Sequence, residues 1–358
     1  MGIRFERDTR RATNGPMIFF SILHDEVFEE EIRSAFVSGL SFYAYRLPGA
    51  SMLTYGSSEG FVEGIGTPGF VIGLFSSRYP YITIPYEGVK TTGNPESLYT
   101  MPVESTPFED YSKEVGAIIN LLKAGKGEKV VAARVLVKSG SMDVADKFYE
   151  FCQRFPDAFV FCFSTPATGC WIGASPELLL EGKEGNLISM ALAGTRPAGS
   201  PGEWDAKNME EQEIVTQFIS DCFIKEKLIP DIGEKFTKVT GNIEHICTPI
   251  EAKVENSDFN LESLLKVLSP TPALCGSPRD FALTEIEKLE KFPRGCYGGF
   301  CGPFRSVVDF YFHVTLRCAS VSEKRYCIYA GGGITAKSSV VSEWEETEMK
   351  ILNTFGPQ

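Results

Sequence analysis

The sequence is poor in histidine, with three in 358 residues. That argues against a zinc centre built on imidazole, and no Cys-x-x-Cys pair offers a thiolate alternative. The ten cysteines stand singly in apolar contexts such as FCFS and LRCAS, the pattern of reduced, buried thiols in a cytoplasmic protein. No run comes near the roughly eighteen apolar residues of a membrane-spanning helix. The opening MGIRFERDTR carries charges where a signal peptide needs an apolar core, and Glu6 stands where a myristoylation signal needs Ser or Thr. A basic block is also missing. Asp and Glu outnumber Lys and Arg by 47 to 35, giving a formal charge of −12. Such a surface repels nucleic acid and anionic membrane, so an anionic ligand must be met by local Arg and Lys. With no internal repeat, heptad series or exposed helical stripe, nothing demands a partner. A monomer or weak homo-oligomer is expected.

What is present reads as an α+β chain long enough for two ordinary domains or one large one. Residues 1–100 are the least informative. FYAY, FVEGIG, GFVIGLF and YITIPY read as strands and hairpins, TTGNPESLY as a surface loop, and His24 as structural or exposed. From Phe108 the spacing turns helical, with Val115, Ile118, Ile119 and Leu122 on one side and Gly125 and Gly127 to stop it. EKVVAARVLVKSG reads as a strand, DVADKFYEFCQRFP as a second helix, and AFVFCFS and GCWIGASP as densely apolar strands. A long helix is expected over Glu211–Ile229, stopped by Pro230. KFTKVTGNIEHICTPIEAKV reads as extended with a turn at Gly241 and Asn242, and NLESLLKVL as a helix. Helix-start chemistry follows at Ser277, Pro278 and Asp280. VVDFYFHVTLRCASV and RYCIYAGGGI read as paired strands, and VSEWEETEMKILNTF as the last helix.

Three constellations carry possible chemistry. Glu343 and Glu346 lie three apart on a helical segment and so share a face, while Glu211 sits early in another helix. Brought together they would repel unless a cation lay between them, and magnesium favours such oxygen ligands. On residues alone, solvated helix faces are the plainer reading of these acids. Lys129 opens an apolar strand and Glu177 follows Pro176 at the end of another. In an apolar cleft the lysine's pKa would fall and the acid's rise, suiting proton transfer near neutrality. An ordinary strand-edge charge is the plainer reading of Lys129. Gly331, Gly332 and Gly333 follow a strand and read as either a tight turn or backbone open to an anion, without the spacing of a phosphate loop or dinucleotide fingerprint. Arg317 is a charge in an otherwise apolar strand and calls for a partner such as a carboxylate. His245 reads as a core histidine or a ligand contact.

In order along the chain, KVVAAR, GASPELLL, ALAGTRP, KNMEEQEIV, EHICTPI, LSPTPALCGSPRD, RGCYGGFCG, VTLRCA, YAGGGI and SEWEETEMK resemble the motifs of the chorismate-utilising enzymes, and among them the isochorismate synthases. The resemblance spans roughly residues 105 to 355, with 1–104 divergent. It implies one chorismate-binding domain over 1–358, built of two packed antiparallel β-sheets flanked by helices, and a need for Mg2+. It also implies roles. Lys129 would be the general base toward water and Glu177 the general acid toward the 4-hydroxyl. Glu211 and Glu346 would be metal ligands, with Glu343 in support. His245, Arg317, Ala193, Gly194, Thr195 and Gly331 to Gly333 would lie at the substrate. Lys129 departs from the glutamine typical of anthranilate synthase, and Ala193 from the lysine nucleophile of aminodeoxychorismate synthase. Salicylate synthase, which adds pyruvate elimination, stays a rival, as does a catalytically silent chorismate-binding subunit. Asn208 and Gln212 replace residues that are commonly acidic and histidine, which puts the metal's water shell in question. Menaquinone formation is the expected pathway.

Overall fold

The computed structural model describes residues 18–21, 25–86, 93, 96–240, 243–254 and 259–357. His24, most of the 91–95 part of the expected loop and the turn expected at Gly241 and Asn242 lie outside them.

Seven helices occur among these residues: α1 (Glu26–Ser38), α2 (Phe108–Lys123), α3 (Val144–Arg154), α4 (Ala206–Lys225), α5 (Leu261–Leu268), α6 (Arg279–Leu289) and α7 (Val340–Phe355). The strands form two sheets, of nine and ten strands, and every pairing is antiparallel. At the middle of the nine-stranded sheet, Gly169–Ser175, Cys318–Val321, Arg325–Thr335 and Lys129–Ser139 lie side by side. In the other sheet, Ile243–Lys253, Asn186–Pro197, Leu178–Lys183 and Asp309–Val314 are neighbours.

Strand alternation decides how these layers stack, because successive side chains leave opposite faces. In Ser41–Arg46, Phe42 and Ala44 join a core beneath α1, α3 and α7, whereas Tyr43 and Tyr45 join the core between the sheets. In Gly69–Gly73, Phe70 and Ile72 face that inner core and Val71 faces the core beneath α4 and α5. The order is therefore helices, sheet, sheet, helices. This is the α+β architecture expected, with the sheets glued by aromatic residues such as Phe161, Trp171 and Tyr329.

Three departures from the sequence reading stand out. The helix α1 lies in a stretch that reads as strands and hairpins. Phe28, Ile32 and Ala35 repeat at helical spacing and are buried, Asp25 accepts from Val27 and Phe28 N–H, and Gly39 ends the helix at φ 69°. At α6 the expected side-chain cap is absent: the N-cap is Pro278, whose side chain accepts no hydrogen bond. The helix α4 begins at Ala206, five residues before the expected start, because the Asp205 carboxylate caps Asn208 N–H. That earlier start places Asn208 within the helix.

Candidate active site

The site is built where the chain crosses between sheets. Ser175 ends a strand of the first sheet and Leu178 starts one of the second, so Pro176 and Glu177 form the bridge. Glu177 N–H donates to Ser175 Oγ (3.3 Å) and Glu177 O accepts from Val314 N–H (3.0 Å), which fixes the residue from both sides. Its side chain enters a cleft of about 300 Å³, at the low end of the size usual for small-molecule sites. Lys129 lines the same cleft from the start of its strand. So do Ala193, Gly194, Thr195, Glu211, His245, Arg317, Gly331, Gly332, Gly333 and Glu346. Residues spread over more than two hundred positions of sequence thus share one cavity. Glu343 is buried just behind it.

Glu177 is 5% exposed, and burial pushes its carboxyl up to about 8. The charges of Lys129, Lys238 and Arg317 pull the other way and do not overcome the loss of water. A neutral carboxylic acid near neutral pH is the result. Lys129 is 3% exposed, and its Nζ is ion-paired with the Glu211 carboxylate. A base role for this amine therefore requires Glu211 to be engaged elsewhere.

The acids arrive from α4, which packs on Asn186–Pro197 and Ile243–Lys253, and from α7, which packs on Arg325–Thr335. The glycines make room for them. Gly331 to Gly333 are not a turn: they continue the strand in register with Ala133, Ala132 and Val131. A Cβ on Gly332 would lie 2.9 Å from Glu343 Oε2 and 3.9 Å from Glu346 Oε1; one on Gly333 would lie 2.9 Å from Glu211 Oε1 and 2.5 Å from Lys129 Cε. Only a bare backbone lets three carboxylates and a lysine gather on this stretch of strand. Three carboxylates from two helices are the hard oxygen donors that Mg2+ takes, so the residues fit that ion. As the side chains stand, Lys129 pairs with Glu211 and Lys350 with Glu346 (2.6 Å). No three His, Cys, Asp or Glu side chains among the described residues form a ready metal cage.

At the other end, Arg317 lies outside the strands, between Val314 and Cys318, with φ 47°. The sequence reading had it within a strand. A left-handed arginine is strained and must be held by its surroundings. Its Nη2 donates to His245 Nε2 (3.2 Å), so His245 carries its proton on Nδ1 and donates it to Gly194 O (2.8 Å). Burial, then the Arg317 charge, pull the imidazole down to about 3, so it is neutral. Burial likewise pulls Arg317 down to about 10, which leaves it a cation at neutral pH. The result is a guanidinium steadied by a neutral histidine, facing the cleft.

Three further residues escaped the sequence reading. Lys350 lines the cleft one helical turn beyond Glu346 and donates to Gly331 O (2.8 Å); the i, i+4 spacing was the available signal. Tyr297, from RGCYGG, lines it with its hydroxyl over Gly331. Lys238 had no signal beyond its charge. Asn208 does line the cleft, against Gly194, but Gln212 turns away from the acids: it is fully buried and donates to Ala191 O and Thr248 Oγ1, both at 2.9 Å. The expected influence of Gln212 on a metal's shell is thereby replaced by a tie between α4 and the sheet.

A family profile described as "Chorismate binding enzyme" matches residues 86–355. The chain belongs to this family. Isochorismate synthase EntC of Escherichia coli (strain K12) is 32% identical over 271 residues, 71% of this chain and 68% of that protein. Isochorismate synthase MenF of Bacillus subtilis (strain 168) is 30% identical over 265 residues, 69% of this chain and 55% of that protein. The solved structure of MenF, the menaquinone-specific isochorismate synthase from Escherichia coli, aligns with a TM-score of 0.77 over 97% of this chain and 96% of that one; at 18% identity it speaks for the fold alone. As a chorismate-binding enzyme, the protein has its cleft wholly inside the matched residues. No helix among the described residues is long and apolar enough to cross a membrane.

Proposed function

We propose that the protein is an isochorismate synthase, converting chorismate to isochorismate with Mg2+. The observation that carries the reading is one cavity lined both by the Lys129 amine and by the Glu177 carboxyl, the latter kept protonated near neutral pH by burial. Lys129 removes a proton from water as that water attacks C2 of the ring. Glu177 gives its proton to the 4-hydroxyl as it leaves, and the ring double bonds shift between the two positions. Arg317, oriented by His245, grips a substrate carboxylate. Glu211 and Glu346 would hold Mg2+, with Glu343 in support, and the ion would supply positive charge to offset that of the ring carboxylate. Glu211 so engaged would release Lys129 from their ion pair, and the amine serves as the base in its unprotonated form. The cleft walls from Ala193 to Thr195 and from Gly331 to Gly333 bring backbone close to the ring without side-chain bulk.

The test is direct. Purified protein is incubated with chorismate and Mg2+ and the products are separated. Isochorismate alone is the expected outcome. Salicylate with pyruvate would replace the reading by the synthase that adds elimination, and tight chorismate binding with no product under any metal would replace it by a silent binding subunit.

A further inference from the structure

A half-buried lysine that the mechanism does not use is Lys238. It stands on the strand Phe236–Thr240, which pairs with Ile243–Lys253 so that Lys238 lies directly opposite His245. Residues opposite each other on an antiparallel ladder leave the same face, so Lys238 reaches inward beside His245. Its ammonium does not line the cleft. It passes behind the wall and donates to Pro176 O (3.0 Å), with Met190 Sδ at 3.3 Å. That carbonyl belongs to the peptide linking Pro176 to Glu177. A half-buried ammonium with a carbonyl and a thioether as its recorded acceptors is poorly solvated, so its field reaches the nearby groups weakly screened.

We propose that Lys238 is a positioning residue for the general acid: from behind the cleft it clamps the Pro176–Glu177 link between the two sheets and places a cation where the Glu177 carboxylate forms. This rests on the reading of Glu177 as proton donor. The chemistry needs such a charge. Glu177 is buried, so giving its proton to the departing hydroxyl leaves an anion in a poorly hydrated pocket. Lys129 and Arg317 face that anion from inside the cleft, but both are committed there, one to the attacking water and one to the substrate. Lys238 is committed to neither. Of the other titratable groups that interact with it, His245, His313 and Cys247 are held neutral by burial, and the one further carboxylate is that of Asp157, which is exposed to solvent. The clamp also has a mechanical part. With Ser175 Oγ on Glu177 N–H and Val314 N–H on Glu177 O, the Lys238 bond is the third fixing point on this bridge.

The variants Lys238→Met and Lys238→Arg test it in the full chain with chorismate and Mg2+. For Lys238→Met we expect kcat to fall by about 10-fold or more with KM within about 2-fold, and the basic limb of kcat to move to higher pH by about 1, because loss of a neighbouring cation makes Glu177 a weaker acid. Lys238→Arg should restore most of the rate and return the limb. A wild-type pH profile in Lys238→Met would overturn the proposal, as would a lower kcat with an unmoved limb and a lower melting temperature. A second readout does not need turnover: the carboxyl stretch of 13C-labelled glutamate, assigned by its absence in Glu177→Gln, is followed with pH by infrared spectroscopy. It should titrate higher in Lys238→Met than in wild type; coincident titrations would overturn the proposal even if the wild-type protein forms no isochorismate, while that lack of product would sink only the proposed reaction.

Discussion

The two ends of the cleft control charge by opposite means. At the acid end, Glu177 is kept neutral by burial alone, against three nearby cations. At the other end, Lys129 sits with Glu211, Glu343, Glu346 and Lys350, and charge is offset in part by pairing: Lys129 with Glu211, Lys350 with Glu346. Desolvation is a property of the walls and persists whether or not the cleft is filled. Pairing is a property of the contents and would rearrange if a cation entered. The protonation of Glu177 is thus set in advance by its walls, whereas the pairing around Lys129 depends on what binds.

If that contrast holds, removing the divalent ion should hurt most. Dialysis against EDTA should abolish isochorismate formation, and added Mg2+ should restore it; turnover without any metal would break the distinction. Next in size, Glu177→Gln should lower kcat by about 10²- to 10⁴-fold, the usual contribution of a general acid, with substrate binding retained in calorimetry. Glu346→Gln should act differently. It should raise the Mg2+ concentration for half-maximal rate by about 10- to 100-fold, with much of the rate recovered at high Mg2+.

The pH dependence sharpens the same comparison. Glu177 is pushed up to about 8 by burial, so its proton is present below that pH and lost above it, and kcat should decline through about pH 8. Stability has a matching sign. Between the ordinary value of 4.5 and about 8 the folded protein holds a proton that the unfolded chain has released, so this site loses stability as pH rises. Glu177→Gln removes that loss. Its stability advantage over wild type should grow by up to about 1.4 kcal/mol per pH unit across that window, read by urea unfolding.

The smallest effect on the site should come from the scaffold. Arg46 is 1% exposed and donates to Cys152 O, Phe155 O and Ala158 O at the end of α3. Arg46→Met strands those carbonyls and should cost about 2 to 4 kcal/mol of stability, yet leave KM and the pH profile unchanged.

Much of this was legible beforehand, and unevenly. In the later two thirds, helices and strands follow from spacing, and the site residues follow from ordered motifs such as GASPELLL and SEWEETEMK. The first hundred residues were read less well. They contribute strands to the outer ends of both sheets and no residue to the cleft, and the family profile begins only at residue 86. A scaffold strand needs an apolar residue of about the right size at every second position, a demand many sequences meet, so its pattern is easily misassigned. The helix α1 was missed for that reason, although its cap and spacing were in view. Arg317 was placed inside a strand because its neighbours are apolar, while its left-handed backbone depends on what holds it. The glycines read as a turn because glycine permits one, but here their function is to be thin.

By itself, the sequence determined which groups were available: an amine, an acid, three helical carboxylates, a bare glycine strand and a chain that alternates well enough to stack two sheets. Those are local properties, written in residue type and spacing. Only the tertiary structure decided that Glu177 would be dry and Gln212 turned away, and that Lys238 would stand behind the acid. Each of these depends on which distant segments exclude water from the same few ångströms, and burial belongs to the packed whole rather than to any stretch of chain.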